Sequence, residues 1–182
     1  MVRDAQAVDM GDVLRMYTPY VLKGLATFEE VQPTPDEMLA RRVAVLSAGL
    51  PYLIATRGDA IVGYTYATAY RPRPAYRHTI ENSVYVAYNL RGQGVGSALL
   101  GALIAECEKG SARQMVAVIG DSANAGSIAL HHRFGFEMVG TLREVGFKLG
   151  RWVDTVLMQR ALHPGHGSRP EQPRRGPQAV CP

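Results

Sequence analysis

Arg91-Gly92-Gln93-Gly94-Val95-Gly96 sits between an apolar run, Ser83-Val84-Tyr85-Val86-Ala87, and a helical pattern over residues 97–109. The spacing predicts a strand that enters a glycine-rich turn and leaves it as a helix. Glycines let backbone N–H groups converge without Cβ interference, and a helix N-terminus adds partial positive charge. Such a junction suits a phosphate or pyrophosphate. Two common phosphate loops fail on spacing. A Walker loop needs lysine after its last glycine, and Gly96 is followed by Ser97. A dinucleotide fingerprint counted from Gly92 and Gly94 meets Ser97 where its third glycine belongs. The acidic ribose ligand expected about 20 residues on falls in Met115-Val116-Ala117-Val118-Ile119, which is apolar throughout. What fits is Arg/Gln-x-x-Gly-x-Gly/Ala, matched at every position from Arg91 to Gly96. A glycine-rich turn without chemical meaning is the competing reading of this stretch taken alone.

Outward from the junction, Val13, Leu14, Tyr17, Val21 and Leu22 form an apolar stripe that predicts a helix over 7–23. A loop over 26–33 follows. Thr34-Pro35-Asp36-Glu37 is a helix start, with Thr34 as N-cap, Pro35 at the first helical position and Glu37 closing a capping box. That helix is expected to stop at Gly49. Residues 51–56 and 60–69 read as strands around Arg57-Gly58-Asp59, and 78–87 as a third. After the 97–109 helix come a buried strand at 114–120, a short helix at 127–134, and strands near 136–147 and 152–161. This order specifies an α+β, three-layer fold: a mixed, mostly antiparallel central sheet flanked by helices. One domain over 1–162 is expected. Residues 163–182 hold five prolines and three glycines and are expected to be a disordered tail.

The tail carries three arginines and one glutamate, so half of the chain's +4 lies there and the body is no nucleic-acid footprint. No apolar run approaches the ~20 residues of a membrane span, and the N-terminus lacks a signal-peptide core, so a cytoplasmic protein is expected. Cys107 and Cys181 make neither a disulfide framework nor a metal site.

Longer strings sharpen the reading. Thr27-Phe28-Glu29-Glu30, Gly63-Tyr64-Thr65-Tyr66-Ala67 and Ala75-Tyr76-Arg77-His78-Thr79-Ile80-Glu81-Asn82-Ser83-Val84-Tyr85-Val86 are three of them. Leu130-His131 through Gly135-Phe136, the run from Gly140 to Lys148, and Gly150-Arg151-Trp152-Val153-Asp154 are others. Together with the glycine loop, these resemble the GCN5-related N-acetyltransferases, and within them the phosphinothricin and methionine-sulfoximine N-acetyltransferase branch. The resemblance covers about residues 1–162. It implies an acetyl-CoA-dependent enzyme that acetylates the amino group of a small amino-acid-like substrate, with no metal, working as a homodimer. Other acceptors (a polyamine, an antibiotic, a protein N-terminus) and a non-catalytic acyl-CoA sensor stay open.

The resemblance places the catalytic glutamate at Glu81. An ammonium substrate must lose a proton before it attacks a thioester, and burial would have to raise a carboxylate's pKa for that work. A solvated charge at a strand start is the alternative. His131 stands where many acetyltransferases carry the tyrosine that protonates departing CoA, and imidazole can donate near neutrality; a hydrogen-bonded core histidine is the competing reading. The donor site is expected at Val84, Tyr85 and Val86, at Arg91, Gly92, Gln93, Gly94, Val95, Gly96 and Ser97, and at Asn124 and Ser127 before and in the short helix. Arg71-Pro72-Arg73-Pro74-Ala75-Tyr76 reads as an extended arm whose guanidinium groups suit a carboxylate or a phosphinyl oxygen. The family reading puts acceptor contacts at Arg73 and Tyr76, with Arg71 on the same arm and Phe28 and Glu29 in the early loop.

Overall fold

A computed structural model describes residues 1–163. The expectation for 163–182 lies outside them, apart from His163. The elements run β1 (Val2–Asp4), α1 (Met10–Lys23), α2 (Pro35–Ser47), β2 (Tyr52–Arg57), β3 (Ala60–Ala69), β4 (Thr79–Val86), α3 (Val95–Cys107), β5 (Gln114–Gly120), α4 (Ala125–Arg133), β6 (Glu137–Lys148) and β7 (Arg151–Ala161). The helix start at Thr34 forms as its residues dictate: Thr34 Oγ1 accepts from the Glu37 N–H at 3.2 Å, and the Glu37 carboxylate accepts from the Thr34 N–H at 2.7 Å. The three-residue strand β1 has no sequence signature, because it is too short to show alternation. It pairs antiparallel with β2, Arg3 opposite Ile54.

The seven strands are ordered β1-β2-β3-β4-β5-β7-β6. Every pair is antiparallel except β4 with β5, which run parallel from Thr79 opposite Gln114 to Asn82 opposite Ala117. Past Asn82 the central pair separates. Each strand stays paired on its outer side, β4 to β3 as far as Val86 and β5 to β7 as far as Gly120. The sheet therefore splits at its centre without losing either half.

Alternation along β4 divides its side chains between two faces. Ile80 joins Leu100, Leu103, Met115 and Met158 in a core under α3, with Val84 packed against it. Tyr64 joins Tyr17, Tyr20 and Tyr52 in a core under α1 and α2, with Tyr66 and Tyr85 packed against it. Leu99, Leu100 and Leu103 are fully buried, and each contributes roughly 1.5–3 kcal/mol of burial to fixing α3 on the sheet.

Two local readings need correction. The 71–76 segment is not an extended arm: Pro74–Tyr76 form a 3₁₀ turn, with the Tyr76 N–H donating to the Arg73 carbonyl at 2.9 Å. Pro74 has the fixed φ that a helical first position accepts, and this bends the chain. The other correction is the start of α3 at Val95 rather than 97, so the end of the glycine loop is itself the first helical turn.

Candidate active site

The split in the sheet opens into a cavity of about 650 Å³. Its walls are Asn82 to Val86 of β4, Ala117 to Gly120 of β5, the first turn of α3, and the inner side of α4 from Ala125 to His131. Gly92 and Gly94 take φ of +74° and +84°, a left-handed conformation that glycine adopts without cost. They turn the chain so that α3 starts at the cavity. The N–H groups of its first turn lack helical partners there, at the positive end of the helix dipole.

Arg91, Gly92, Gly94, Gly96, Ser97, Val84, Tyr85, Val86, Asn124 and Ser127 of the expected donor site all border this cavity. Gln93 and Val95 do not. Gln93 bonds Arg57 and the Asn89 carbonyl, and Val95 is buried against Leu99. Arg91 lies 3.7 Å from the Tyr88 ring centroid and 5.0 Å from that of Tyr20, which braces its guanidinium at the mouth. Arg133, unremarked in the sequence, adds a second positive charge. This set of free helix N–H groups and two guanidinium groups fits a pyrophosphate, and the open strand edges beside it fit an extended pantetheine amide chain.

Main-chain direction along β4 decides which groups face the split. The Ser83 carbonyl accepts from Thr65 and the Ala87 N–H donates to Val62, both on β3. The Val86 N–H and carbonyl instead meet the Tyr20 hydroxyl, which accepts from one at 3.3 Å and donates to the other. By alternation the Val84 N–H points the same way as that of Val86, into the split.

Asn124 caps α4, its side chain accepting from the Ser127 N–H at 3.3 Å. His131, four residues on, is 97 % buried with its ring edge-on to Phe136. Its Nδ1 lies 2.8 Å from the Ser127 carbonyl and its Nε2 lies 3.2 Å from Asn82 Oδ1. Burial holds the ring's pKa below the ordinary 6.5, partly offset by the Ser127 carbonyl.

Glu81 lies across the sheet from His131. It is outside the cavity, half-buried on the α1/α2 face, where burial raises its carboxyl above the ordinary 4.5 and the Arg71 charge opposes the rise. Arg71 itself stacks over Tyr70 at 4.8 Å. Arg73 and Tyr76 are exposed, and Tyr76 touches Tyr70 edge-on. Tyr66 and Arg41 were missed by sequence reasoning. Tyr66 is paired with Ser83 and feels the charges of Glu81, Glu29 and Arg41. Arg41 of α2 holds Glu29 in a two-point ion pair, at 2.7 and 3.1 Å. Period-two counting from Glu81 to Ser83, carried across an antiparallel register to Tyr66, is the signal that finds the first. Nothing local points to Arg41.

The loop carrying Phe28 and Glu29 is pinned by β6. A Cβ on Gly146 would lie 2.4 Å from the Phe28 ring, so glycine is what lets the ring lie on the strand. Lys148, also buried, donates to the Thr27 carbonyl at 2.7 Å and to the Tyr20 carbonyl at 3.2 Å. Burial lowers its pKa, with Glu30 and Glu29 opposing. Lys148→Met is expected to cost about 2 kcal/mol of stability, from the loss of charged hydrogen bonds to two carbonyls. Urea unfolding measures it. The same variant should raise the acceptor KM more than the acetyl-CoA KM, because the loop it frees carries Phe28 and Glu29.

A mixed sheet split at its one parallel pair, with a glycine-turned helix N-terminus at the split, defines the acyl-CoA N-acyltransferase class. The chain belongs to the GNAT acetyltransferase family, whose acetyltransferase (GNAT) domain matches residues 2–157. It is similar to the phosphinothricin N-acetyltransferase of Alcaligenes faecalis, 52 % identical over 93 % of this chain and 86 % of that one. It is also similar to the L-methionine sulfoximine/L-methionine sulfone acetyltransferase of Pseudomonas paraeruginosa, 40 % identical over 90 % of this chain and 95 % of the relative. Among solved structures, the phosphinothricin acetyltransferase of Sinorhizobium meliloti in complex with AcCoA superposes with a TM-score of 0.89. It is 43 % identical and covers 93 % of this chain, which covers 92 % of it.

Proposed function

We propose that this protein is an acetyl-CoA-dependent N-acetyltransferase acting on the amino group of small amino-acid-like compounds of the phosphinothricin and methionine sulfoximine or sulfone type. The observation that carries the reading is on β4. A half-buried carboxylate with a raised pKa, Glu81, sits on the acceptor face, and the strand then opens onto the donor cavity from Asn82 onward. The names of the relatives at 52 % and 40 % identity support the substrate class.

In this reading Glu81 takes the proton of the bound ammonium, directly or through water, and passes it to solvent. The freed amine attacks the thioester carbonyl, whose oxygen is met by the Val84 N–H, the donor of β4 that faces the split without the Tyr20 hydroxyl on it. The nitrogen, cationic after attack, gives its second proton to the emptied Glu81 carboxylate as the C–S bond breaks and CoA leaves as a thiolate. The first turn of α3, with Arg91 and Arg133, holds the pyrophosphate. His131 supplies the thiolate's proton, its Nε2 exchanging the Asn82 contact for the sulfur. Arg71, whose positive charge acts on Glu81, meets the acceptor's carboxylate or phosphinyl group, with Tyr66, Arg73, Tyr76, Phe28 and the Glu29–Arg41 pair around it.

The protein works as a homodimer through β6 and its turn into β7. This edge of the sheet exposes Val139, Leu142, Val145, Phe147, Leu149 and Trp152, an apolar set that an isolated sheet edge rarely leaves to water. Sedimentation at the mass of two chains is expected; a monomer would remove this interface.

Release of CoA thiol from acetyl-CoA tests the reaction. Saturable release is expected with phosphinothricin, methionine sulfoximine and methionine sulfone, and none with polyamines or short peptides. Release with peptides alone would overturn the substrate class. Silence throughout, with acetyl-CoA still bound, would leave a sensor.

A further inference from the structure

The contacts of the His131 ring do not balance as they stand. A main-chain carbonyl only accepts, so the 2.8 Å contact to Ser127 puts a proton on Nδ1. The other nitrogen faces Asn82 Oδ1 at 3.2 Å, a second acceptor, which a neutral ring with one N–H cannot satisfy. Asn82 is itself 95 % buried, and its Nδ2 is the one buried side-chain polar atom without a partner among the described residues. A half-turn of the amide repairs the first fault. Nδ2 then donates to bare Nε2, and the oxygen takes the place without a protein partner, in a residue that lines the donor cavity.

We propose that Asn82 is the positioning residue of His131, with a side-chain amide whose orientation follows the ring's protonation. With the ring neutral, Nδ2 donates to Nε2. With the ring protonated, Oδ1 accepts from Nε2–H, the orientation in which Nδ2 has no partner. Asn82 thus keeps Nε2, rather than Nδ1, as the nitrogen that gains a proton from solvent and gives it to the leaving sulfur. Groups around the ring do not compete for this role. Phe136 offers an aromatic edge, Ser127 Oγ lies 3.5 Å from Nδ1, and the charged Arg133 of the same helix is turned to Ser97 Oγ. Burial and the Ser127 carbonyl are the opposing influences on the ring's titration.

The inference rests on His131 being the proton donor, and its test separates the two. NMR of the free enzyme, with ¹⁵N in histidine and asparagine, reads the pair without catalysis. At a pH where the ring is neutral, an unprotonated Nε2 coupled across a hydrogen bond to Asn82 Nδ2 is expected. An Nε2–H resonance, or an Asn82 amide uncoupled from the ring, would overturn the proposal. In kinetics, Asn82→Leu should lower kcat about 10-fold with the acetyl-CoA KM changed less than 2-fold. Asn82→Asp should hold the ring protonated at a pH where the parent ring is neutral. An Asn82→Leu enzyme with unchanged kcat would overturn the positioning role even if the coupling is seen. His131→Ala with normal rates would instead remove His131 as the donor and leave the Asn82 hydrogen bond standing.

Discussion

Glu81→Gln is expected to lower kcat by roughly 10²- to 10³-fold, the range for loss of a positioned general base. The substitution keeps the shape of the side chain and removes its basicity. Acetyl-CoA binding should be unaffected, because Glu81 is on the sheet face away from the donor cavity and does not line it. The pH dependence carries the sign. Burial raises the carboxyl above 4.5, so in the parent enzyme kcat/KM should rise with pH through a midpoint above the ordinary carboxylate value as the base form accumulates. Glu81→Gln should abolish that limb. Arg71→Ala takes away the positive charge that opposes the rise and should move the midpoint further up. Stopped-assay rates across pH for the three proteins measure this. A Glu81→Gln enzyme that keeps its rate and its acidic limb would take Glu81 out of the mechanism.

How far the sequence foretold this site depends on the range of the forces that built each part. Local physics was legible. The Thr34 and Glu37 capping box, the strands at 60–69 and 114–120 and the turn at Gly92 and Gly94 are written in neighbouring residues, and the structure has them there. The split of the sheet is not written in neighbouring residues. No residue between Asn82 and Val86 announces that its parallel partner will leave, because the separation is a property of two strands held from outside by β3 and β7.

The acceptor side was the least legible, again for a physical reason. Arg71 to Tyr76 reads as one extended arm from its prolines, but Pro74 opens a 3₁₀ turn that ends the extended stretch at Arg73. Glu29 was picked from its motif, yet its partner Arg41 comes from α2, twelve residues on and in a different element. Asn82 went unremarked because asparagine beside a glutamate on a strand reads as solvated edge. Only the alternation of β4, together with the position of α4, turns it inward onto His131. Each miss joins two elements whose approach is set by tertiary packing.

The donor side yields the second large effect. Gly96 is in the first turn of α3 and lines the cavity; a Cβ there would meet a Leu130 methyl at 3.2 Å and Val86 at 3.6 Å. Gly96 has no positive φ, so a side chain at this place strains contacts and not the backbone. Gly96→Ala therefore asks the Leu130 side chain to give by a few tenths of an ångström and should raise the acetyl-CoA KM only about 2- to 5-fold, on the order of 1 kcal/mol or less. Gly96→Asp adds a carboxylate at the point where the free N–H groups and the guanidinium groups of Arg91 and Arg133 gather an anion. The carboxylate competes for those N–H groups and repels the pyrophosphate, and like-charge juxtaposition costs several kcal/mol. A loss of acetyl-CoA affinity of about 100-fold or more is expected. The fold should stay intact, because an acidic residue in a first helical turn favours the helix itself. Titration calorimetry with acetyl-CoA, beside thermal unfolding of the two variants, separates the terms. Equal losses in Gly96→Ala and Gly96→Asp would mean that space alone matters at this turn, and α3 would lose its role as the anion site.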